Sequence, residues 1–530
     1  MPHNLVTTGW IPVRYQDQTS GEIAPWQITE HLDTNPITAI TASRADFTAA
    51  LFQFLIGLLQ TAYTPADPEE WFERLQAPPT PDELRAAFAR YADAFNLDGD
   101  GPRFMQDQDD LAGQKPLPIT ALLIETAGSE THFVKDLPRQ GMSPASAAMA
   151  LYTLQTNAPS GGVGHRTSLR GGGPLTTLVV ATPEDPNKTS TLWQTLWLNV
   201  LDQESLEFDA IDPDPARVFP WLSPTRTSEK GGKQTTPEDV HPLQMFWGMP
   251  RRIRLDFDHG TAGHCAVTNK QAPQLVSHYR TRNYGTNYTG AWQHTLTPYT
   301  QNGQDLIAMH PRGSINYRHW LSLMQDSQDN KIRRFRAAVV KRFNAGDYLL
   351  KTEGWRYRLW ACGYDMDNMK PRCWFESTLP LFSFESAARR EAIETAAEKM
   401  VTAANLFVIN LRNAVKDAWF SRDDPRHKSA KAETLQDAFW QETEAAFYTQ
   451  LTSMSHADDI EAARFEGFHA WHRFLNNYTQ AAFDHWVDYN QLSEQSHPRR
   501  IAEARRNLRR FNYSKKIKHA LDIPDQKQAA

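Results

Sequence analysis

Apolar residues recur at helical spacing in two parts of the chain. The first is a dense apolar run at residues 45–63, which predicts a buried helix capped by Ser43. The second begins near residue 383, where glycine and proline almost disappear. From there, apolar residues lie three or four positions apart at Ile393, Ala397, Met400, Ala404, Phe407, Leu411 and Ala414. This pattern predicts a long amphipathic helix.

Three further amphipathic segments follow at residues 435–451, 465–489 and 498–521, and polar breaks separate them. Because short connections place successive helices side by side, the four segments predict an antiparallel four-helix bundle at residues 381–530. Residues 1–380 differ, since short strand-like runs alternate there with helices and with many proline and glycine breaks. We therefore predict an α+β protein, in which a large mixed α/β domain precedes the bundle.

Composition narrows the class of protein. The chain has 530 residues, 40% of them hydrophobic and 22% charged, which is typical of folded globular proteins. Its three cysteines are too few for a disulfide framework, and no uninterrupted apolar run approaches the ~18 residues of a membrane span. We expect a cytoplasmic protein that does not enter a membrane. The net charge of −6 means that any nucleic-acid contact is local or depends on partners.

The last amphipathic segment carries opposed apolar and basic faces. Nine Lys/Arg residues stand against the single Glu503 between residues 499 and 518. Steps of about 100° per residue place one face on Ile501, Ala504, Leu508 and Phe511, and the opposite face on Arg499, Arg506 and Arg510. The basic face is either a solvated surface or a contact for phosphates, and its excess of positive charge favours phosphates.

Motifs of catalysis are missing from the sequence. It contains no phosphate-binding loop, nucleophile elbow, paired-histidine zinc helix or redox CxxC. His264 and Cys265 lack further zinc ligands at regular spacing, so we expect no metal and no cofactor. A metal-dependent nuclease or other hydrolase remains an alternative, with magnesium held by Asp107, Asp109 and Asp110 or by Asp365 and Asp367, although surface turns explain these acids better.

A glycine-rich segment, APSGGVGHRTSLRGGGP at residues 158–174, carries the clearest candidate chemistry. It sets Gly161, Gly162 and Gly164 in one short loop and follows them with Arg166 and Arg170. Glycine lets the backbone approach a ligand closely, and free N–H groups beside guanidinium groups suit a phosphate or a base edge. A tight turn explains the glycines as well as a ligand does.

Two more segments interleave aromatic with basic or amide residues: SHYRTRNYGTNY at 277–288 and GYDMDNMKPRCW at 363–374. A strand or hairpin that carries Arg280, Arg282 and Asn283 could present donors to a DNA groove. Packing of the tyrosines in a core is the alternative.

Together these pieces resemble the CasA family, the large subunit of the type I-E CRISPR surveillance complex called Cascade. The resemblance spans nearly the whole chain, and the glycine-rich block is its most specific part. The matching text is GWIPVR at 9–14, RFMQD at 103–107, NAPSGGVGHRTSLRGGGPLTTLV at 157–179, QMFWGMPRRIRL at 244–255, and GYDMDNMKPRCW.

The resemblance implies a non-catalytic subunit that reads the short motif flanking a target, the PAM, while the guide RNA reads the target sequence. Its implied partners are subunits of the CasB, CasC, CasD and CasE types, the guide RNA, the target double-stranded DNA with its displaced strand, and a separate nuclease-helicase effector. A purely structural scaffold is the remaining alternative.

The resemblance also assigns roles to residues. The reading loop falls on Gly161, Gly162, Val163 and Gly164, and a basic finger in the minor groove falls on Arg280, Arg282 and Asn283. A wedge that starts strand separation falls on Asp367, Asn368 and Met369, with Asn368 at its tip. Docking at the guide-RNA end falls on Phe133, Val134 and Lys135. DNA-backbone contacts are expected from Arg166, Arg170, Arg499, Arg506 and Arg510.

This sequence departs from well-known family members at two places. Those members have a lysine in the finger and a glutamine at the wedge, whereas this chain has Arg282 or Asn283 and Asn368. The accepted flanking motif is therefore expected to differ. Minor-groove readout mainly separates A·T from G·C pairs, so several related motifs should be accepted.

Overall fold

The computed structural model describes residues 3–126, 141–229, 232–303, 305–329, 332–345, 354–367, 370–382, 384, 386–430, 432–489 and 497–524. The chain divides into two compact units. The first comprises Met1–Gly313 and Ser322–Leu381, and the second comprises Ser314–Leu321 and Phe382–Ala530. The expectation that residues 1–380 form one domain is therefore wrong for Ser314–Leu321, which belongs to the second unit.

The first unit mixes short strands with helices. Its strands are β1 (Ile11–Tyr15), β2 (Ser20–Ile23), β3 (Ile37–Ile40), β4 (Leu117–Pro118), β5 (Thr176–Pro183), β6 (Gln234–Thr235), β7 (Arg252–Asp256), β8 (Thr261–His264), β9 (Gln271–Leu275), β10 (His278–Arg282), β11 (Asn287–Tyr288), β12 (Tyr299–Asn302), β13 (Asp305–Ala308), β14 (Ser327–Asp329), β15 (Ile332–Phe335), β16 (Trp355–Asp367) and β17 (Lys370–Leu381). Its helices are α1 (Ala45–Ala62), α2 (Pro68–Gln76), α3 (Pro81–Ala89), α4 (Pro144–Asn157), α5 (Leu192–Trp197), α6 (Pro215–Val218), α7 (Gln244–Trp247), α8 (Trp320–Met324, which begins within the second unit) and α9 (Ala338–Ala345).

Small sheets organise this unit, in the strand orders β2-β1-β3, β4-β10-β7, β13-β12-β15-β14 and β17-β16-β5. The pairs β11-β6 and β8-β9 complete the described strands. In the last of these four sheets β5 pairs with β16 of the long hairpin β16-β17, so the strand that follows the glycine-rich segment is anchored along β16.

Helix α1 lies in the core of the first unit. Its Phe54 ring packs edge-on against the rings of Trp10, Phe95 and Trp247, among others. By length and composition α1 is apolar enough to cross a membrane, but it is largely buried within the protein, as a core helix is. The predicted cap is wrong: Arg44, not Ser43, is the N-cap residue, and the carboxylate of Asp46 accepts the Phe47 N–H at 3.0 Å.

The second unit is the predicted helical bundle. Its helices are α10 (Ala387–Trp419), α11 (Pro425–Ser429), α12 (Glu433–His456), α13 (Ile460–Tyr489), α14 (Pro498–Asn512) and α15 (Lys515–Ala520). Helix α10 packs against α12, α13 and α14 through the predicted apolar face, of which Ile393, Met400 and Phe407 are buried. The predicted last helix is divided, since α14 ends at Asn512 and α15 begins at Lys515.

The segment Ser314–Leu321 supplies an aromatic residue to the bundle core. The ring of Tyr317 stacks on Phe447, with 4.4 Å between ring centroids, and its hydroxyl lies 2.8 Å from Thr443 Oγ1. Because Tyr317 is fully buried by these contacts, the segment is part of the bundle's hydrophobic core.

Candidate nucleic-acid interface

The first glycines of the glycine-rich segment, at residues 161–164, lie in an exposed loop shortly after α4. Gly162 and Gly164 have φ values of +89° and +77°, a region that favours glycine. A Cβ on Gly164 would lie 3.0 Å from both the Asn283 Cβ and the Tyr284 ring, so this position also lacks room for a side chain. Within the described part of the chain, no acceptor receives the N–H groups of residues 161–164. The loop therefore presents unsatisfied donors at the surface.

The residues after β10 hold this loop from one side. The Tyr284 N–H donates to the Gly164 carbonyl at 2.8 Å, and the Asn283 side-chain amide donates to the Val163 carbonyl at 2.7 Å. The structure thus brings together two segments that the sequence analysis singled out separately. Of the two predicted forms, a strand or a hairpin, the structure has the strand: Arg280 and Arg282 lie on β10, the middle strand of β4-β10-β7, and Asn283 follows it.

Arg166 joins the loop to a third segment. Its guanidinium donates to Ser228 Oγ at 2.7 Å and to the Ser228 carbonyl at 3.1 Å. Ser228 in turn donates its N–H to the Tyr284 carbonyl at 3.1 Å and its hydroxyl to the Gly285 carbonyl at 2.7 Å. Ser228 was missed by sequence reasoning, because a serine in a polar tract carries no distinguishing signal. The predicted contact of Arg166 with DNA phosphates stays a prediction.

Arg251 holds the residues on either side of the loop through hydrogen bonds. Its guanidinium donates to the Pro159 carbonyl and bonds His165 Nδ1. Gln155, fully buried on α4, accepts the Arg251 N–H at 3.0 Å and donates to the Arg251 carbonyl at 2.9 Å. Burial lowers the pKa of Arg251 to about 10, and burial beside Arg251 lowers the pKa of His165, which is therefore neutral at pH 7. Sequence reasoning did not single out Arg251.

Arg170 lies in the core of the first unit, and this burial contradicts its predicted role at DNA phosphates. The side chain is 5% exposed. Its guanidinium donates to Thr176 Oγ1 at 3.1 Å, Thr297 Oγ1 at 2.8 Å and Gln53 Oε1 at 2.5 Å. Arg170 lies in a turn closed by the Gly171 N–H, which donates to the Ser168 carbonyl at 2.8 Å, and the sequence pattern did not reveal its burial.

The two arginines of the predicted finger differ in exposure. Arg282 is half-exposed, and its nearest carboxylate oxygen belongs to Glu229 at 3.4 Å. Arg280 is more covered, and its guanidinium lies 3.8 Å from Asp256. Because ion pairs between exposed side chains are weak, a stronger anionic ligand can displace Glu229 from Arg282.

Asp367 of the predicted wedge is the last residue of β16 and is paired with Lys370, the first residue of β17. Asn368 and Met369 lie outside the described residues, as do Phe133, Val134 and Lys135. Beside the tip, buried Asp365 accepts the Gly313 N–H at 3.1 Å and pairs with Arg372 at 2.8 Å.

The other acids proposed for magnesium are also engaged by protein groups. The buried carboxylate of Asp107 pairs with Arg252 at 2.5 Å, and Asp109 lies 3.5 Å from the same guanidinium. In the described ranges of the chain, no group of three or more His, Cys, Asp or Glu side chains is placed to hold a metal ion. The geometry gives the hydrolase alternative no support.

The basic face of α14 is exposed as predicted. Arg506 and Arg510 point away from buried Ala504 and Leu508, and Arg499 is 84% exposed and paired with Glu503 at 3.2 Å. The predicted apolar face is wrong at Phe511, which is 45% exposed. Asn512 takes the core position instead, since its side-chain amide donates to Thr479 Oγ1 at 2.9 Å inside the bundle.

A family profile and several solved structures match nearly the whole chain. A family profile described as CRISPR-associated protein Cse1 matches residues 4–482. CasA (Cse1) of Thermus thermophilus is 17% identical over 96% of this chain and 100% of its own, with a TM-score of 0.68. Cse1 of Thermobifida fusca is 17% identical over 98% of each chain, with a TM-score of 0.70. A chain of a CRISPR RNA-guided surveillance complex is 15% identical over 97% of this chain and 100% of its own, with a TM-score of 0.67.

Proposed function

Since the chain belongs to the CRISPR-associated Cse1 family, we propose that it is the subunit of an RNA-guided surveillance complex that recognises the motif flanking the target in double-stranded DNA. In this proposal it helps to start strand separation and R-loop formation, and it supports recruitment of a separate nuclease-helicase. It acts in the cytoplasm without catalysing a reaction itself. Its partners are the guide RNA, the other Cascade subunits and the target DNA.

The observation that carries the proposal is the held glycine loop. The N–H groups of residues 161–164 have no acceptor in the described part of the chain, and hydrogen bonds of Asn283, Tyr284, Arg166 and Arg251 hold the loop that carries them. The minor groove presents acceptors on every base pair, at A N3 and T O2 for example. A rigid row of donors loses little entropy on binding such acceptors, and the exposed Arg282 supplies positive charge beside them.

The wedge extends the proposal to strand separation. The hairpin β16-β17 continues through eleven paired positions to its tip at Asp367–Lys370, so it forms a stiff support for a short inserted segment. A side chain inserted beside the recognised motif would offset part of the few kcal/mol needed to unstack one base step. Asn368 is proposed for that role.

Replacing Gly164 with Ala tests the recognition proposal. The added Cβ meets Asn283 and Tyr284 and forces a left-handed residue to carry a side chain, so the loop must move. The assembled complex should lose about tenfold or more in affinity for targets with the correct flanking motif, and little for targets without it. Gly113→Ala is the matched control, because its Cβ enters open space.

The alternatives predict other outcomes. A purely structural scaffold would keep its target affinity in the Gly164→Ala complex. A nuclease would degrade duplex DNA as the purified chain with Mg²⁺, and the double change Asp365→Ala/Asp367→Ala would abolish that activity.

A further inference from the structure

The second glycine cluster of the glycine-rich segment, Gly171–Gly173, lies outside the reading loop and packs against the long hairpin. Gly173 has a φ of +64°, and a Cβ placed on it would lie 2.8 Å from Tyr364 Cβ and 2.9 Å from the Tyr364 carbonyl oxygen. Gly363 on β16 is equally close, since its Cβ would lie 2.8 Å from the Pro174 carbonyl oxygen. The two backbones therefore approach this closely only because both positions are glycine.

The same cluster also contacts the residues that lead into the reading loop. A Cβ on Gly172 would lie 2.9 Å from Pro159 Cα, and the Gly173 N–H donates to the Asn157 carbonyl at 3.1 Å. Pro159 is itself held, because its carbonyl accepts the guanidinium of Arg251. The cluster is thus packed on two sides, against the start of the loop and against β16.

His310 holds the cluster through a hydrogen bond. Its Nδ1 lies 3.3 Å from the Gly173 carbonyl oxygen, and its ring would lie 3.1 Å from a Cβ on Gly171. Because a carbonyl oxygen only accepts, Nδ1 carries the hydrogen and donates it. Burial lowers the pKa of His310, so the ring is neutral at pH 7. The ring therefore fixes Gly173 at the point where it meets the hairpin.

This contact lies close to the end of the hairpin. Tyr364 stands three residues before Asp367, the last residue of β16, and three residues of strand span about 10 Å. Asp367 is paired with Lys370, so the two strands remain joined up to this end. A displacement of β16 at its contact with Gly173 is therefore transmitted to the end of the hairpin.

We propose that Gly173 and His310 are positioning residues that couple reading of the flanking motif to opening of the neighbouring base pair. The inference rests on the proposed functions of the loop and of the wedge. Opening requires the hairpin end to meet the base step beside the motif that residues 161–164 hold. A misplacement of about 1 Å can slow a reaction about a hundredfold, even when its cause lies away from the reacting atoms. The contact at Gly173 fixes the spacing between the two parts.

The reading loop has a separate support on its other side. Asn283 donates to the Val163 carbonyl, and the Tyr284 N–H donates to the Gly164 carbonyl. These hydrogen bonds involve neither Gly173 nor His310. A change at Gly173 should therefore impair opening of the duplex while the loop continues to read the motif.

Rates of R-loop formation on two targets separate this coupling from a merely structural role. Both targets carry the preferred flanking motif as paired duplex, but in the second the base pairs next to the motif are mismatched and need no wedge to open. In the assembled complex, Gly173→Ala should slow R-loop formation about tenfold or more on the fully paired target and less than about threefold on the mismatched one. The readout is the fluorescence of 2-aminopurine placed within the target.

Gly303→Ala is the matched control for backbone strain. Gly303 has nearly the same φ, +65°, but a Cβ on it would meet nothing within 4 Å. This complex should form R-loops at the wild-type rate on both targets. Slowing of the fully paired target by Gly303→Ala would attribute the effect to strain and contradict the proposal.

Two changes at His310 test the hydrogen bond independently, and they decide the question if Gly173→Ala does not assemble. His310→Ala removes the donor to Gly173, so R-loop formation on the fully paired target should slow about threefold or more. His310→Asn places an amide nitrogen the same number of bonds from the backbone as Nδ1, so it should restore most of the wild-type rate. The mismatched target should respond little to either change.

Three further results would overturn the proposal: equal slowing of the two targets by Gly173→Ala, an unchanged rate of either Gly173→Ala or His310→Ala on the fully paired target, or a rate of His310→Asn as low as that of His310→Ala. The proposed function fails separately, if the wild-type complex forms R-loops at the same rate with and without the preferred flanking motif.

Discussion

Replacing Arg170 with Ala should destabilise the first unit and leave the electrostatics of DNA binding unchanged. The guanidinium is buried, and its described partners, Gln53, Thr176 and Thr297, are neutral. Burial lowers the pKa of Arg170 because no carboxylate compensates the lost hydration of the charge. The Arg170 side chain therefore stabilises the first unit through the three hydrogen bonds that it donates.

The magnitude follows from these contacts. A hydrogen bond from a charged donor contributes roughly 1.5–3 kcal/mol, so the three bonds together contribute at least about 4.5 kcal/mol. Truncation also removes the unfavourable burial of the charge, which offsets part of that loss. We expect a net decrease of about 3 kcal/mol in the free energy of unfolding. For a unit of about 370 residues this lowers the melting temperature by about 4 °C.

The assay combines thermal unfolding with the salt dependence of target binding. Arg282→Ala is the matched control, because Arg282 is half-exposed in the same unit. That control should unfold at the wild-type temperature, and the slope of log affinity against log salt should become shallower, because a positive charge beside the DNA is lost. The reasoning would be refuted if Arg170→Ala left stability unchanged and flattened the salt slope.

Two further predictions concern the bundle. The double change Arg506→Glu and Arg510→Glu, which reverses the charge of its basic face, should weaken binding about equally for all target sequences, since phosphate contacts carry no sequence information. The slope of log affinity against log salt should become shallower by about 1.8. An unchanged slope in the assembled complex would contradict this prediction. Burial, with Arg318 nearby, lowers the pKa of His319 to about 4, below the unfolded value of about 6.5, so the bundle should lose stability as the pH falls from about 6.5 towards 4. Urea unfolding at pH 7 and pH 5 should differ by about 2 kcal/mol from this group, and His319→Gln should remove that difference; an equal difference in the variant would contradict the assignment.

The helical bundle was predictable because its pattern is local. The apolar positions of α10 repeat every three or four residues, and packing on several neighbours buries that face. The segment Ser314–Leu321 was not predictable as part of the bundle, since its membership depends on Tyr317 meeting Phe447 and Thr443, more than 120 residues away. Long-range pairing of this kind leaves no periodic signal.

The glycine loop was predictable as an element, but the directions of its arginines were not. Arg166 and Arg170 are four residues apart in the same polar segment of the sequence. One braces Ser228 at the surface and the other enters the core. Composition describes both as candidate phosphate ligands, and only the fold around them separates the two roles. The contact of Asn283 was not predictable either: its side-chain amide, a predicted DNA ligand, donates to the Val163 carbonyl.

The most direct test of flanking-motif recognition is the binding of the assembled complex to a library of targets with randomised flanking bases. We predict that the wild-type complex selects a small set of related motifs, and that Gly164→Ala makes the bound pool nearly random at the same positions. A bound wild-type pool with random flanking bases would contradict the assignment of the glycine loop as a reader of DNA.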